Sequence, residues 1–420
     1  MTEHSTSTKF LNVLIRATTL ACRFLFIFFL AKLLTPSEVG LYGLVTATAA
    51  YSLYFVGLDF YTFTTREFAG SDRSSWGGFI KNQAALSLTL YCIVLPALTF
   101  VFLNGMLPWA LAKWFFLLIV LEHVCQELTR LFVAVSEQLA ASVVMFLRQG
   151  TWAIVIVAVM LIDEQARHLD AVFGAWVVAC VLAIGFSIGK LRTMGIGGWH
   201  VALSRQWIWR GVKMAVPFLV ATLAIRGMLT VDRYWLQVLS GLEVLGAYVL
   251  FIGVANTLMA FLDAGVFSFA YPAMIKAYLN NNPALYRRKM REMMFLTVLF
   301  AGGFAVISTL LLPYLLDWLG KSVYLDNYML FYWLLLATIL NALGMIPHYA
   351  VYAQKRDRSI IQSHLAALPI FIMVTAIATQ WTSVYAIPIG LCASQFAIVV
   401  WKLRAYLLFT PVAFRGIRRV

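Results

Sequence analysis

The chain has 420 residues, of which 62% are hydrophobic and only 12% charged, with a net charge of +14. Its mean hydropathy is +0.85. That balance excludes a soluble globular domain and predicts an all-α, polytopic membrane protein, since about 20 apolar residues suffice for one crossing. The basic excess reads as membrane topology and contact with anionic inner-leaflet lipid. A nucleic-acid partner is excluded, because no aromatic-basic domain stands clear of the apolar segments.

Twelve apolar stretches predict twelve transmembrane helices. Met1 to Lys9 is polar and lacks a small-residue cleavage site, so the first helix, Phe10 to Leu34, is expected to stay in the mature protein. It carries Arg16 and Arg23, seven residues apart and therefore on one helical face. The second helix, Gly40 to Phe63, holds Asp59, and the third runs from Phe79 to Leu103. The fourth, Trp109 to Val135, contains Glu122, His123, Glu127 and Arg130. Arg148 lies in the fifth, Ala141 to Ile162, and the sixth spans Ala171 to Lys190. Met194 to Gly211 then sets Trp199, Leu203, Trp207 and Ile208 among Arg205 and Arg210, the pattern of an interfacial amphipathic linker.

The seventh helix, Val212 to Leu239, repeats the spacing of seven with Arg226 and Arg233 and adds Asp232. The eighth, Leu245 to Ala270, holds Asp263. Asn282-Pro283 opens a capped helix with a basic face that reaches Met294. Spans over Met293 to Leu316, Tyr328 to Tyr352, Ile360 to Gln380 and Ser383 to Leu407 complete the set. The expected organisation is a six-helix lobe over 1–193, a cytoplasmic linker over 194–211, a second six-helix lobe over 212–408 and a basic cytoplasmic tail over 409–420.

Basic flanks are retained in the cytoplasm, and with both termini inside all but seven of the 32 lysines and arginines fall on the inner side. Lys32, Lys113, Arg167 and Lys321 fall outside, and Arg23, Arg226 and Arg233 fall within spans. The loops on the outer side are short and leave no room for an extracytoplasmic catalytic domain. The five cysteines sit in spans at unrelated spacings, so neither a disulfide framework nor a metal site is expected.

An internal repeat relates the halves. Leu34-Thr35-Pro36-Ser37-Glu38-Val39-Gly40-Leu41-Tyr42 answers Leu239-Ser240-Gly241-Leu242-Glu243-Val244, an extra Leu245, then Gly246-Ala247-Tyr248. Leu58-Asp59 before Phe63 answers Leu262-Asp263 before Phe267. With six helices in each copy, both copies enter the membrane in the same direction, as parallel repeats that rock about a central cavity.

These motifs, with Asp232-Arg233 in the seventh helix, resemble the polysaccharide flippases of the multidrug/oligosaccharidyl-lipid/polysaccharide (MOP) exporter superfamily. The resemblance covers the whole chain in helix count and orientation, but its motifs are degenerate. It implies a bacterial inner-membrane protein, working beside other polysaccharide assembly proteins. Such a protein turns an undecaprenyl-pyrophosphate-linked oligosaccharide, such as an O-antigen unit destined for lipopolysaccharide, from the cytoplasmic to the periplasmic leaflet. Relatives that flip the peptidoglycan precursor usually carry two further helices, which counts against that cargo.

The buried charges support an anionic cargo independently. An arginine at a helix centre costs about 2.5–3.5 kcal/mol, so it should face protein or water. Guanidinium forks match the oxygens of a pyrophosphate. Arg16, Arg23, Arg226, Arg233 and Arg148 are therefore the expected binding residues for the pyrophosphate and sugar. Asp59, Glu122, Glu127, Asp232 and Asp263 are expected to pair with those arginines or to bind a proton or sodium ion that drives the cycle. No cofactor, phosphate loop or nucleophile triad is recognisable, so an enzyme is not expected. Two alternatives remain at this stage: a multidrug or cation antiporter of the same superfamily, which would favour an acidic cavity, and a lipid-linked glycan polymerase or glycosyltransferase, which would need a large outer loop.

Overall fold

The computed structural model describes residues 6–415; residues 1–5 and the tail residues Arg418 and Arg419 lie outside the described residues. Among the described residues the secondary structure is helical, connected by short turns. Helix α1 (Thr6–Leu33) is followed at once by α2 (Pro36–Gly57). The junction is a capping box. The Thr35 backbone amide donates to Glu38 Oε2 at 3.0 Å, the Glu38 amide donates to Thr35 Oγ1 at 3.3 Å, and Pro36 takes the first helical position. Helix α2 stops at Leu58 and Asp59, both in the left-handed region at φ 50° and 51°. The chain then resumes as α3 (Tyr61–Ala69), α4 (Arg73–Leu103) and α5 (Ala112–Ala134).

The fifth span is α6 (Gln138–Phe146) and α7 (Trp152–Ile162), joined by a π-helical turn over Leu147–Thr151. Helix α8 (Leu169–Thr193) ends the first six crossings. The segment after it, expected as an amphipathic linker, packs in part on the protein. Residues 196–204 dock on the start of α4: Gly197 exchanges backbone hydrogen bonds with Arg73 and Gly77, Lys81 Nζ donates to the Trp199 carbonyl at 3.0 Å, and the Ser204 amide donates to Asn82 Oδ1 at 2.7 Å. Trp207 is buried against Phe60, Phe63 and Phe79, while Trp199 and Leu203 remain exposed. Backbone groups with no helical partner are satisfied here by a neighbouring helix end.

Helix α9 (Arg205–Leu262) has 58 residues, about 87 Å of helix, far more than one bilayer needs. It holds two crossings divided at Gly241, whose φ of 83° and ψ of 175° fall in a region essentially restricted to glycine. A π turn over Asp263–Phe267 leads into α10 (Ser268–Leu279). Then come α11 (Pro283–Leu319), capped by Asn282, the short α12 (Ser322–Asp326), α13 (Met329–Ala353), α14 (Asp357–Ala378) and α15 (Ala386–Phe409). Helix α11 has 37 residues, so the basic stretch expected as a separate surface helix is continuous with the ninth span.

Ten helices among the described residues are long and apolar enough to cross a membrane. The twelve expected crossings are counted differently for two physical reasons. The apolar run Thr222–Leu279 contains two of them, and α5 is too charged to qualify, with Glu122, Glu127 and Arg130 in one helix. Rows of exposed apolar residues, such as Leu88, Ile93 and Phe100 on α4 and Phe295, Val306 and Leu310 on α11, give these helices a lipid-compatible face.

The chain divides into two compact units, Met1–Arg226 and Gly227–Val420. The first is cored by Phe68, Trp76, Cys125, Phe132 and Val144. The second is cored by Leu262, Phe267, Met274, Tyr286, Ile346 and Tyr406.

Candidate functional site

In the first unit the basic face of α1 lies against the fifth span in matching register. Arg16 Nε donates to Ser142 Oγ at 2.9 Å, and Arg23 Nη1 donates to the side-chain oxygen of Gln149 at 3.0 Å. Both pairs are separated by seven residues on each helix, so two parallel helices meet along one seam. Arg23 sits in mid-span and stays exposed, with neutral Gln149 holding one edge of the guanidinium.

Arg148 is placed differently. It lies in the π turn, is 9% exposed, and its Nε is 3.4 Å from Glu122 Oε2. Trp176 Nε1 donates to the other oxygen of Glu122 at 2.6 Å, and the Cys180 thiol lies 3.6 Å from it. Glu122 and Arg148 thus form a buried ion pair between α5 and the fifth span, closed over by the Trp152–Trp176 stack. A π turn widens the helix by one residue and re-aims the side chains inside it, which is how Arg148 reaches inward.

A second polar group gathers where α2, α3, α4 and α5 meet. Glu127 is paired with Arg130 at 2.5 Å, accepts from the Gln83 amide, and lies 3.9 Å from His123 Nε2. The Tyr91 hydroxyl is 2.7 Å from His123 Nδ1, and the Arg130 guanidinium lies over the Tyr61 ring at 3.8 Å. Gly57 makes the close approach possible, since a Cβ there would stand 3.2 Å from His123 Nε2. Asp59 is 6% exposed at the break of α2, beside Thr222 and within the fields of Arg130 and Arg226. Arg226 is exposed, with its guanidinium 5.8 Å from the Tyr54 ring centroid.

Arg23 and Arg226 therefore both border α2, at different levels. Arg23 is electrostatically coupled to Tyr42 and Arg226 covers Tyr54. Those tyrosines are about 18 Å apart along the helix axis and about 120° apart around it. The two arginines thus lie at different levels along one helix.

In the second unit Asp232 is fully buried and accepts from the Tyr248 hydroxyl at 2.5 Å and from the Arg233 backbone amide at 2.7 Å. The Arg233 side chain turns back onto its own helix, donating to the Leu229 carbonyl at 2.8 Å. Asp263 opens the second π turn and is exposed, near Tyr349.

One basic group assigned from the sequence to the inner surface is buried. Lys402 is 3% exposed, on the face of α15 that buries Gln395, Ile398, Ala405 and Tyr406. His348 of α13 and His364 of α14 stack at 6.4 Å with near-parallel rings, and both lie within its field. The signal was present in the chain: residues at i−7, i−4, i+3 and i+4 from Lys402 form one largely apolar stripe.

No family model matches the chain, and no curated protein matches its sequence. Solved structures do match. An inward-facing multidrug resistance MATE family transporter of the MOP superfamily superposes with a TM-score of 0.70 at 12% identity, over 94% of this chain and 96% of that one. The outward-facing conformation of such a transporter gives a TM-score of 0.57 at 13% identity, over 95% and 94%. A eukaryotic MATE transporter gives 0.51 at 15% identity, over 97% and 88%. At these identities the likeness is one of fold, and the chain is a polytopic all-α membrane protein with the fold of the MATE transporters of the MOP superfamily.

Proposed function

We propose that the protein is an alternating-access transporter that moves an anionic lipid-linked oligosaccharide from the cytoplasmic to the periplasmic leaflet of a bacterial inner membrane. Both termini are cytoplasmic in this reading. The observation that carries it is the exposure of Arg23 and Arg226 deep within apolar helices. Arg23 lies about 15 Å or more from either end of its span. An exposed arginine held there at a cost of about 2.5–3.5 kcal/mol is placed for an anion. The spacing along α2 suits a pyrophosphate handed from one arginine to the next, with the polyprenyl tail left in lipid. Arg16 extends the series toward the N-terminal end of α1. Arg148 acts at one remove, held in the pair with Glu122, and Arg233 positions Asp232. Asp59 and Asp263 are the candidate proton or sodium sites, because each lies at an irregularity of its helix that motion can open.

The solved neighbours favour a second cargo class, since the first two structures named above are multidrug resistance transporters. In a drug or cation antiporter, Asp59 and Asp263 would meet the cargo and the arginines would only shape the path.

Vesicles holding the purified protein separate the two. Labelled undecaprenyl-pyrophosphate oligosaccharide and a cationic dye are offered in turn, with and without proton or sodium gradients. The flippase reading expects oligosaccharide turnover that falls about tenfold or more in Arg23→Ala and in Arg226→Ala, from the loss of a charge-assisted hydrogen bond, with insertion intact. Dye transport abolished by Asp59→Asn and indifferent to both arginines would establish the antiporter instead.

A further inference from the structure

A cavity lies within the second unit, away from every residue assigned above. It has a volume of about 1000 Å³, at the upper end of small-molecule pockets. Its walls are the turn between α13 and α14, the first residues of α14, and one face of α15. Positions Ala397, Val400, Trp401, Arg404 and Leu408 recur at helical spacing, so the α15 face is a continuous strip.

The cavity has two chemically distinct ends. Lys355, Arg356, Arg358 and Arg404 gather against a single acid, Asp357. All four basic residues are exposed, and the Arg356 guanidinium is steadied 5.0 Å from the Phe409 ring centroid. The other end, toward Phe396, is apolar and open: Phe396 is 58% exposed and Val400 47%. These two regions occur where spanning helices meet the interface, on the side the distribution of basic residues places in the cytoplasm. A soluble anion would use the basic end and leave the apolar strip bare. A zwitterionic lipid would use the strip and gain little from the surplus of positive charge. Only an amphiphile with an anionic head satisfies both, and basic pockets between spanning helices on the cytoplasmic side suit such lipid headgroups.

We propose that this groove is a binding site for an anionic glycerophospholipid of the surrounding bilayer. Its phosphate lies on Arg356, Arg358 and Arg404, and an acyl chain lies along Trp401, Val400 and Phe396. The proposal does not depend on the cargo.

The test uses the full-length protein, delipidated in detergent and offered dioleoyl phosphatidylglycerol or dioleoyl phosphatidylcholine. Retained lipid is counted by native mass spectrometry. Phosphatidylglycerol is expected to be retained in preference. Its affinity should fall about a hundredfold in Arg356→Gln/Arg358→Gln/Arg404→Gln, at about fivefold for each charge lost. Ala397→Trp, which fills the strip and spares the charges, should also expel it. The control Arg287→Gln/Arg288→Gln/Arg291→Gln, in the basic start of α11, should retain it. Thermal unfolding gives a second reading: phosphatidylglycerol raises the melting temperature of the unaltered protein and of the control, and leaves the other two variants unmoved. Equal retention of both lipids, or unchanged phosphatidylglycerol binding in the two groove variants, overturns the proposal. Displacement by inorganic phosphate at equal concentration would reassign the basic end to a soluble anion. Displacement by a polyprenyl pyrophosphate at equal concentration would reassign the groove to cargo.

Discussion

Each half of the molecule buries a carboxylate, and the two are stabilised by different means. In the first unit Glu122 is matched by a charge, Arg148, with a tryptophan donor on its second oxygen. In the second unit Asp232 is held by dipolar donors, the Tyr248 hydroxyl and a backbone amide. The contrast extends to aligned residues. Tyr248 answers Tyr42 in the repeat, and at the offset that holds before the inserted Leu245 Asp232 answers Ile27. The Tyr42 ring rests on Phe26 and Phe173, so one tyrosine packs where its counterpart donates. The interhelical junctions differ too: Thr35-Pro36 closes a capping box, while Ser240-Gly241 bends through a glycine-only conformation. The repeat therefore conserves where the chain turns and leaves open how each turn and each buried charge is satisfied.

The largest expected effect comes from breaking the charged pair. Glu122→Gln leaves Arg148 buried beside a neutral group and should cost about 3–5 kcal/mol, read as a large fall in melting temperature in detergent. The double variant Glu122→Gln/Arg148→Gln should recover part of that loss. Equal melting of single and double variants would mean that Arg148 left beside a neutral group carries no penalty. Gly241→Ala should follow, at about 1–3 kcal/mol. A Cβ at Gly241 meets nothing within 4 Å, so the cost is backbone strain alone. Its counterpart Pro36→Ala should cost at most about 1 kcal/mol, through the freer unfolded chain. Tyr248→Phe is expected to cost about 1–2 kcal/mol, because it removes a donor from buried Asp232. Tyr42→Phe, at the aligned position, should stay within about 0.5 kcal/mol. A comparable loss in both would erase the distinction drawn between the two tyrosines.

What the chain disclosed about itself follows the range of the interactions concerned. Helix existence depends on runs of apolar residues, and the twelve crossings are readable from them. The Thr35–Glu38 and Glu127–Arg130 contacts span three residues and are local by construction. The partner of Arg23, Gln149, is 126 residues away, and no spacing in the chain announces it. Both π turns were equally hidden: one inserted residue shifts a helical face without altering the hydrophobicity that marks the span, yet Arg148 and Asp263 each lie in one. Lys402 was misplaced because a basic residue near a helix end ordinarily reaches the interface, whereas α13 and α14 cover this one.

The smallest expected effect tests the comparison most directly, because it uses the same kind of side chain at aligned positions. Thr35 and Ser240 both precede the residue that starts the next helix, each with a glutamate three residues on. The Thr35 hydroxyl accepts from the Glu38 amide, so Thr35→Ala should lose about 1 kcal/mol. The Ser240 hydroxyl is buried without a hydrogen-bond partner. Removing an unsatisfied buried hydroxyl relieves a desolvation penalty, so Ser240→Ala should leave the melting temperature unchanged or raise it slightly. Opposite signs at two aligned hydroxyls would place the difference between the halves in the glycine that replaces Pro36, since Gly241 turns the backbone away from the geometry a capping box requires. Equal losses would show instead that Ser240 caps its helix as Thr35 does.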